Sequence, residues 1–140
     1  MNLGSVDREQ QMFYPVPESA RAARKFVGEI LRRRNAPESV IVDFKLVVSE
    51  LVANAIEHGD GSELTVVADF SDDHWWEVGV VGGSIAGQDK LKSAINGSVA
   101  GHEIASGRGL GIVKHLMNDV ITDISDGRVR IRGRRRRIKN

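Results

Sequence analysis

Between residues 18 and 70 the spacing of apolar residues changes period once, and that change limits the folds open to the chain. Ala20, Ala23, Phe26, Val27, Ile30 and Leu31 recur at intervals of three and four. Ile41, Phe44, Val47, Val48, Leu51, Val52 and Ala55 then do the same. Two amphipathic helices are predicted, over 18–34 and 40–58. Asn35-Ala36-Pro37-Glu38-Ser39 separates them, with Ser39 placed to cap the second. From Leu64 the period falls to two, because Leu64, Val66, Ala68 and Phe70 alternate with Thr65, Val67 and Asp69. Ser71-Asp72-Asp73 turns the chain into a second strand over 74–81.

The flanks extend this order. Met12-Phe13-Tyr14-Pro15-Val16-Pro17 is short, apolar and broken by proline, which suits an edge strand. Residues 82–106 hold five glycines and no sustained period apart from a possible short helix over 90–95, the profile of a functional lid. A third helix is expected from near Gly109 through Ile112, Val113, Leu116, Met117 and Val120. The chain then forms a strand over 121–124, a hairpin turn at Asp126-Gly127 and a strand over 129–133. The resulting order, β-α-α-β-β-lid-α-β-β, predicts a two-layer α+β sandwich. Its sheet should be mixed but mainly antiparallel, with the helices on one face. Hairpin-joined strands without helical crossovers fit a doubly wound parallel sheet poorly.

At 140 residues and 15.3 kDa this is the size of one domain, expected over 1–133 with a basic tail over 134–140. There is no cysteine, which excludes disulfides and thiolate chemistry. No apolar run is long enough to span a bilayer and no signal-peptide pattern opens the sequence, so a cytoplasmic protein without membrane contact is expected. The net charge of +1 conceals an asymmetry. Eight of the 20 basic residues and none of the 19 acidic ones fall within 128–140, leaving 12 against 19, or −7, for the first 127 residues. Without a nucleic-acid-binding motif or interleaved aromatics beside it, the basic run reads as part strand and part solvated tail, with no direct nucleic-acid partner.

Two places carry chemistry. Glu50 and Asn54 are one helical turn apart, about 40° from each other around the axis and at the border of the apolar stripe. A carboxamide oxygen there suits Mg²⁺, and a carboxylate can orient or deprotonate a hydroxyl. Alone, such a pair is more often an ordinary solvated boundary, since an E-x-x-x-N spacing is common on helices. Ser106-Gly107-Arg108-Gly109-Leu110-Gly111 leads into the third helix, where glycines allow close backbone approach and the first N–H groups face an anion. Arg108 adds a positive charge. His58 reads as a helix-end residue, and four scattered histidines do not suggest zinc. Of Trp75 and Trp76, one should point inward and the other outward. The basic face of the first helix reads as solvated.

Taken together, Glu50-Leu51-Val52-Ala53-Asn54-Ala55-Ile56-Glu57-His58, a β-hairpin, a lid and Gly107-Arg108-Gly109-Leu110-Gly111 resemble the GHKL nucleotide-binding superfamily. The small size makes the chain look most like the anti-sigma-factor serine/threonine kinases of bacterial partner-switching systems. The resemblance covers roughly residues 12–132. It implies ATP and Mg²⁺ as cofactors, Glu50 as the catalytic carboxylate and Asn54 as the Mg²⁺ ligand. It also implies Gly107, Arg108, Gly109, Leu110 and Gly111 as the phosphate loop, with residues 87–106 as the lid. The implied partners are an anti-sigma-factor antagonist, phosphorylated on serine or threonine, a sigma factor and a second copy of the chain.

One departure stands out. The family's D-x-G-x-G box, whose Asp binds the adenine amino group, corresponds here to Gly82-Gly83-Ser84-Ile85-Ala86, with Gly82 at the Asp position; a frame ending on Gly87 puts Gly83 there instead, so the acid is absent in both. Two functions follow from the resemblance: an active Mg-ATP-dependent kinase, or a nucleotide-impaired relative acting only as a protein-binding switch.

Overall fold

A computed structural model describes residues 7–83 and 107–138. The expected lid and the possible short helix over 90–95 lie outside the described residues. The elements are β1 (Arg8–Phe13), α1 (Glu18–Arg33), α2 (Glu38–His58), β2 (Leu64–Asp69), β3 (Trp75–Gly83), α3 (Gly107–Leu116), β4 (Asp119–Ser125) and β5 (Arg128–Arg136). The strands form one sheet in the order β1-β2-β3-β5-β4, antiparallel at every junction. This is the α+β sandwich that the periods predict. No helix among the described residues is long and apolar enough to cross a membrane.

The strand alternation decides which face the helices cover. Leu64, Val66 and Ala68 of β2, Trp76, Val78 and Val80 of β3, and Val129 and Ile131 of β5 are buried in one core. They meet Val27, Ile30 and Leu31 of α1, a row of α2 side chains from Val40 to Val52, and Leu110 and Val113 of α3. Helix α2 is the spine, because α1, α3 and β3 all pack against it. Its buried arc is therefore wider than a single stripe and includes Asn54. The Asp126-Gly127 turn has φ of +53° and +75°, the two left-handed residues of a type I′ hairpin.

Besides the extent of α3, which ends at Leu116 with Val120 already in β4, three local expectations need correction. The first strand lies earlier than 12–17. Tyr14 and Val16 instead form a turn closed by Val16 N–H to Tyr14 O at 2.8 Å, and Ser19 Oγ donates to Tyr14 O at 2.6 Å. Met12 and Tyr14 are 59% and 70% exposed, so their apolar character does not mark core positions. Second, Ser39 does not cap α2. The N-cap is Pro37, without a side-chain cap bond, since the helix begins one residue ahead of Ser39. Third, the last strand continues beyond Gly133 to Arg136, where Glu77, Trp76 and Trp75 pair with Arg134, Arg135 and Arg136.

The third correction explains the basic run. β5 is an internal strand, and its outward arginines meet carboxylates from both neighbours. Asp123 of β4 accepts from Arg130 at 2.8 Å and from Arg132 at 3.1 Å. Glu77 of β3, only 8% exposed, lies 3.5 Å from Arg132 and 3.1 Å from Arg134. The Arg134 and Arg136 guanidinium carbons lie 4.4 and 4.8 Å from the Trp75 ring centre. On the helix side, Arg135 pairs with Asp43 of α2, and Arg137 stacks 3.9 Å over Trp76. The tryptophans thus divide as expected, Trp76 inward and Trp75 half-exposed.

Candidate functional site

Glu50, Asn54 and His58 follow one another at intervals of four along α2, so they form one column about 12 Å long from first to last. Asn54 is 1% exposed, deeper than the border position its helical angle suggests, because α3 packs against α2 as well. Its Nδ2 donates to the Glu50 backbone carbonyl at 2.9 Å, which fixes the carboxamide. Glu50 is half-buried. Among the described residues no three His, Asp or Glu side chains gather to hold a metal.

Beyond Asn54 the column meets a slot. Leu51, Ala55, His58 and Gly59 form one wall, Val80, Gly82 and Gly83 of β3 another, and Val129 and Ile131 of β5 the floor. The enclosed space within it, open to a water-sized group, is about 20 Å³, so the slot is narrow. The exit of α2 is held at the end of β3 by Asp60 N–H to Gly83 O, 2.8 Å. Asp60 Oδ1 in turn accepts from Ser62 N–H and Oγ at 2.9 and 2.5 Å, bonds that hold the Asp60 carboxyl below its ordinary pKa. Gly59 is needed for this exit, since a Cβ there would stand 2.3 Å from the Ala55 carbonyl oxygen.

Gly82 faces the slot in close packing. A Cβ at this position would lie 3.2 Å from both Ala55 Cβ and Leu64 Cδ2. A side chain at 82 would therefore need Ala55 or Leu64 to give by a few tenths of an ångström. At Gly83 a Cβ would point instead toward Ser62 Oγ at 2.9 Å and the Asp60 carboxylate.

The glycine-rich segment is helical from Gly107 onward, so Gly107 to Gly111 form the first described turn of α3. Leu110 is a core residue, while Gly111 is exposed with open space where a Cβ would be. The Arg108 side chain lies outside the described residues. The structure thus joins Glu50 to Asn54 directly and brings His58 and Gly82 to one slot. The apolar floor escaped the sequence analysis, because nothing local in Val129 or Ile131 indicates that β5 lies beside β3.

The model of the histidine kinase-like ATPase domain matches residues 13–133. The chain belongs to that family. Among solved structures, this ATPase-like chain is similar to the RsbU and RsbW domains of Rv1364c from Mycobacterium tuberculosis, with a TM-score of 0.67 and 20% identity. That match covers 94% of this chain and 32% of the other, so the chain spans about a third of that protein. It is also similar to a structure of the SiaB-SiaC complex from Pseudomonas aeruginosa, with a TM-score of 0.60 and 18% identity over 89% and 88% of the two chains. These likenesses establish a shared fold. No curated protein matches the sequence.

Proposed function

We propose that this chain is a Mg-ATP-dependent protein serine/threonine kinase of the partner-switching kind. It phosphorylates a small anti-sigma-factor antagonist and, as a homodimer, sequesters a sigma factor. The observation that carries the reading is the α2 column: Glu50, a fixed Asn54 and an apolar slot in line, within the family of histidine kinase-like ATPase domains. The apolar lining of the slot is the side of the column that the faces of a purine ring would approach. Asn54 and the first described turn of α3 would hold the phosphates. Backbone N–H groups at the start of a helix favour phosphate, and the family resemblance assigns Arg108 to the same loop.

The Asn54 carboxamide oxygen would hold Mg²⁺ brought in on the phosphates, since this ion keeps most of its waters and needs few protein ligands. When bound, Mg²⁺ neutralises charge on the phosphate oxygens. Glu50 takes the proton from the substrate hydroxyl as its oxygen bonds to the γ-phosphorus and the bond to the β–γ bridging oxygen breaks, releasing ADP. The likeness to a structure solved as a two-protein complex supports the protein-substrate part of the reading.

Saturable heat on titration with millimolar Mg-ATP tests the proposal, and its absence overturns it. One observation favours the second reading, a binding switch without phosphotransfer: glycine stands at 82 in place of the family's base-binding acid, and Ala55 and Leu64 pack closely around it.

A further inference from the structure

Helix α2 also carries apolar side chains on the face turned away from the core. Val42 and Leu46 are 56% and 43% exposed, and Ala53 is exposed as well. At about 100° per residue the three fall within about 40° of one another around the axis. With Ser39 and Ser49 they make the series 39-42-46-49-53, whose steps of three and four are those of a coiled-coil seam. Single exposed apolar residues are ordinary on a protein surface. A row of them, about 16 Å long from Val42 to Ala53, is the kind of surface that another helix covers. The small side chains at 49 and 53 leave holes into which the knobs of such a helix fit.

Positive charge lies along one flank of this row. Helix α1 packs against α2, and two contacts fix an antiparallel register. Arg24 Nη1 donates to Ser49 Oγ at 2.8 Å, and a Cβ on Gly28 would stand 3.4 Å from Lys45 Cδ. Continued in both directions, that register brings Arg21 level with Ala53 and Arg32 level with Val42. Each position of the row from 42 to 53 thus has a cation beside it: Arg32 at Val42, Lys45 at Leu46, Arg24 at Ser49 and Arg21 at Ala53. Among the described residues, Arg32 alone of these four forms an ion pair, a largely exposed one with Glu38 at 3.0 Å. The acids of α1, Glu18 and Glu29, lie farther round that helix, away from α2.

We infer that this row is a docking surface for an amphipathic helix of a partner protein, one with an apolar stripe and carboxylates along a single flank. Charge selects the occupant. A second copy of the chain would bring the same four cations against Glu50 and Glu57 on the far shoulder of α2, since Asp43 is taken by Arg135. An acidic helix answers every cation along the row. The inference goes beyond the phosphotransfer reading and is independent of nucleotide binding.

Two synthetic helical peptides test it. They share a leucine stripe at heptad spacing and differ in one flank, glutamate in the first and lysine in the second. Fluorescence anisotropy measures their binding to the full chain without nucleotide. The glutamate peptide is expected to bind about tenfold more tightly than the lysine peptide, and its affinity should fall as salt rises. Leu46→Gln, a change at an exposed position, should weaken it about tenfold, and Val42→Ser is the substitute if that chain does not fold. Arg21→Glu combined with Lys45→Glu should reverse the preference between the peptides. Failure of the glutamate peptide to bind overturns the inference, as does equal affinity for both peptides or binding that the substitutions in the row leave unchanged. Sedimentation of parent and Leu46→Gln chains decides the competing occupant. A dimer that the substitution dissociates gives the row to a second copy and overturns the inference, whereas an unchanged oligomeric state supports it.

Discussion

Asn54 Nδ2 donates to the backbone carbonyl of Glu50 at 2.9 Å, so the amide plane is set by the helix before any ligand arrives. A carboxamide held this way loses little freedom on accepting a ligand, which favours binding over a freely rotating side chain. Asn54→Ala is expected to lower Mg-ATP affinity on the order of tenfold and to remove most of its Mg²⁺ dependence. Calorimetry with and without Mg²⁺ measures both. The same variant loses a buried hydrogen bond and should be less stable by about 1 kcal/mol.

Glu50→Ala separates binding from chemistry. Its backbone carbonyl still accepts from Asn54, so nucleotide affinity should remain within about twofold while phosphotransfer to the antagonist falls by about 10²-fold or more. Equal single-turnover rates for variant and parent would remove Glu50 from the role of base.

Restoring an acid to β3 should not restore a base contact. In Gly82→Asp the new Cβ enters contacts with Ala55 and Leu64 at 3.2 Å, tighter than side chains normally tolerate. The expected result is a loss of about 1–3 kcal/mol in stability, as for overpacked cores, without a gain in ATP affinity. Denaturant unfolding and calorimetry on one preparation decide it.

How far the sequence carries can be judged on these same residues. The change of period between Ala55 and Leu64 located α2 and β2, and Asp126-Gly127 located a turn whose two positive φ angles only a short list of residues adopts readily. The family motif placed Glu50 and Asn54 on one helix. Strand order was beyond reach, because the β4–β5 hairpin can meet β3 through either of its strands and both alternate in the same way. The extent of β5 was hidden for a related reason. After Ile131 its apolar pattern ends, and the groups that hold Arg134 and Arg135 in place, Glu77 and Asp43, are remote in sequence. His58 does end α2, as the sequence predicts, but its place on the slot was hidden because the wall opposite it comes from β3 and β5.

Deleting residues 134–140 discriminates between a tail and a strand. The deletion removes the pairing of Trp75, Trp76 and Glu77 with β5, the Arg135–Asp43 ion pair and the stacking of Arg137 on Trp76. A loss of about 3 kcal/mol or more is expected, whereas loss of a solvated tail would leave the unfolding midpoint unchanged.

Acid should act partly through Asp123. The hydrogen bond from Arg130 holds its carboxyl below the ordinary carboxylate pKa, against the opposing effect of burial and with help from the Arg132 charge. The folded state therefore binds this proton less readily than the unfolded chain does. Its contribution is complete above the ordinary value of about 3.9 and is lost as the pH falls toward the folded value. Asp123→Asn should flatten the decline in stability between about pH 5 and pH 3, measured by denaturant midpoints.

The position of β5 also orders events in time. A chain made from its N-terminus completes α1, α2 and the β2–β3 hairpin long before the strand that pairs with β3 exists. Until residues 128–136 emerge, Glu77 has no arginine beside it, Trp76 has no cation over it and the floor of the slot is missing. Helices and the first hairpin can form locally, but the long-range pairing that closes the sheet comes last. A nascent chain of this protein is thus unable to form the slot until residues 128–136 have left the ribosome, and a chain stalled or clipped before them would expose the unpaired edge of β3.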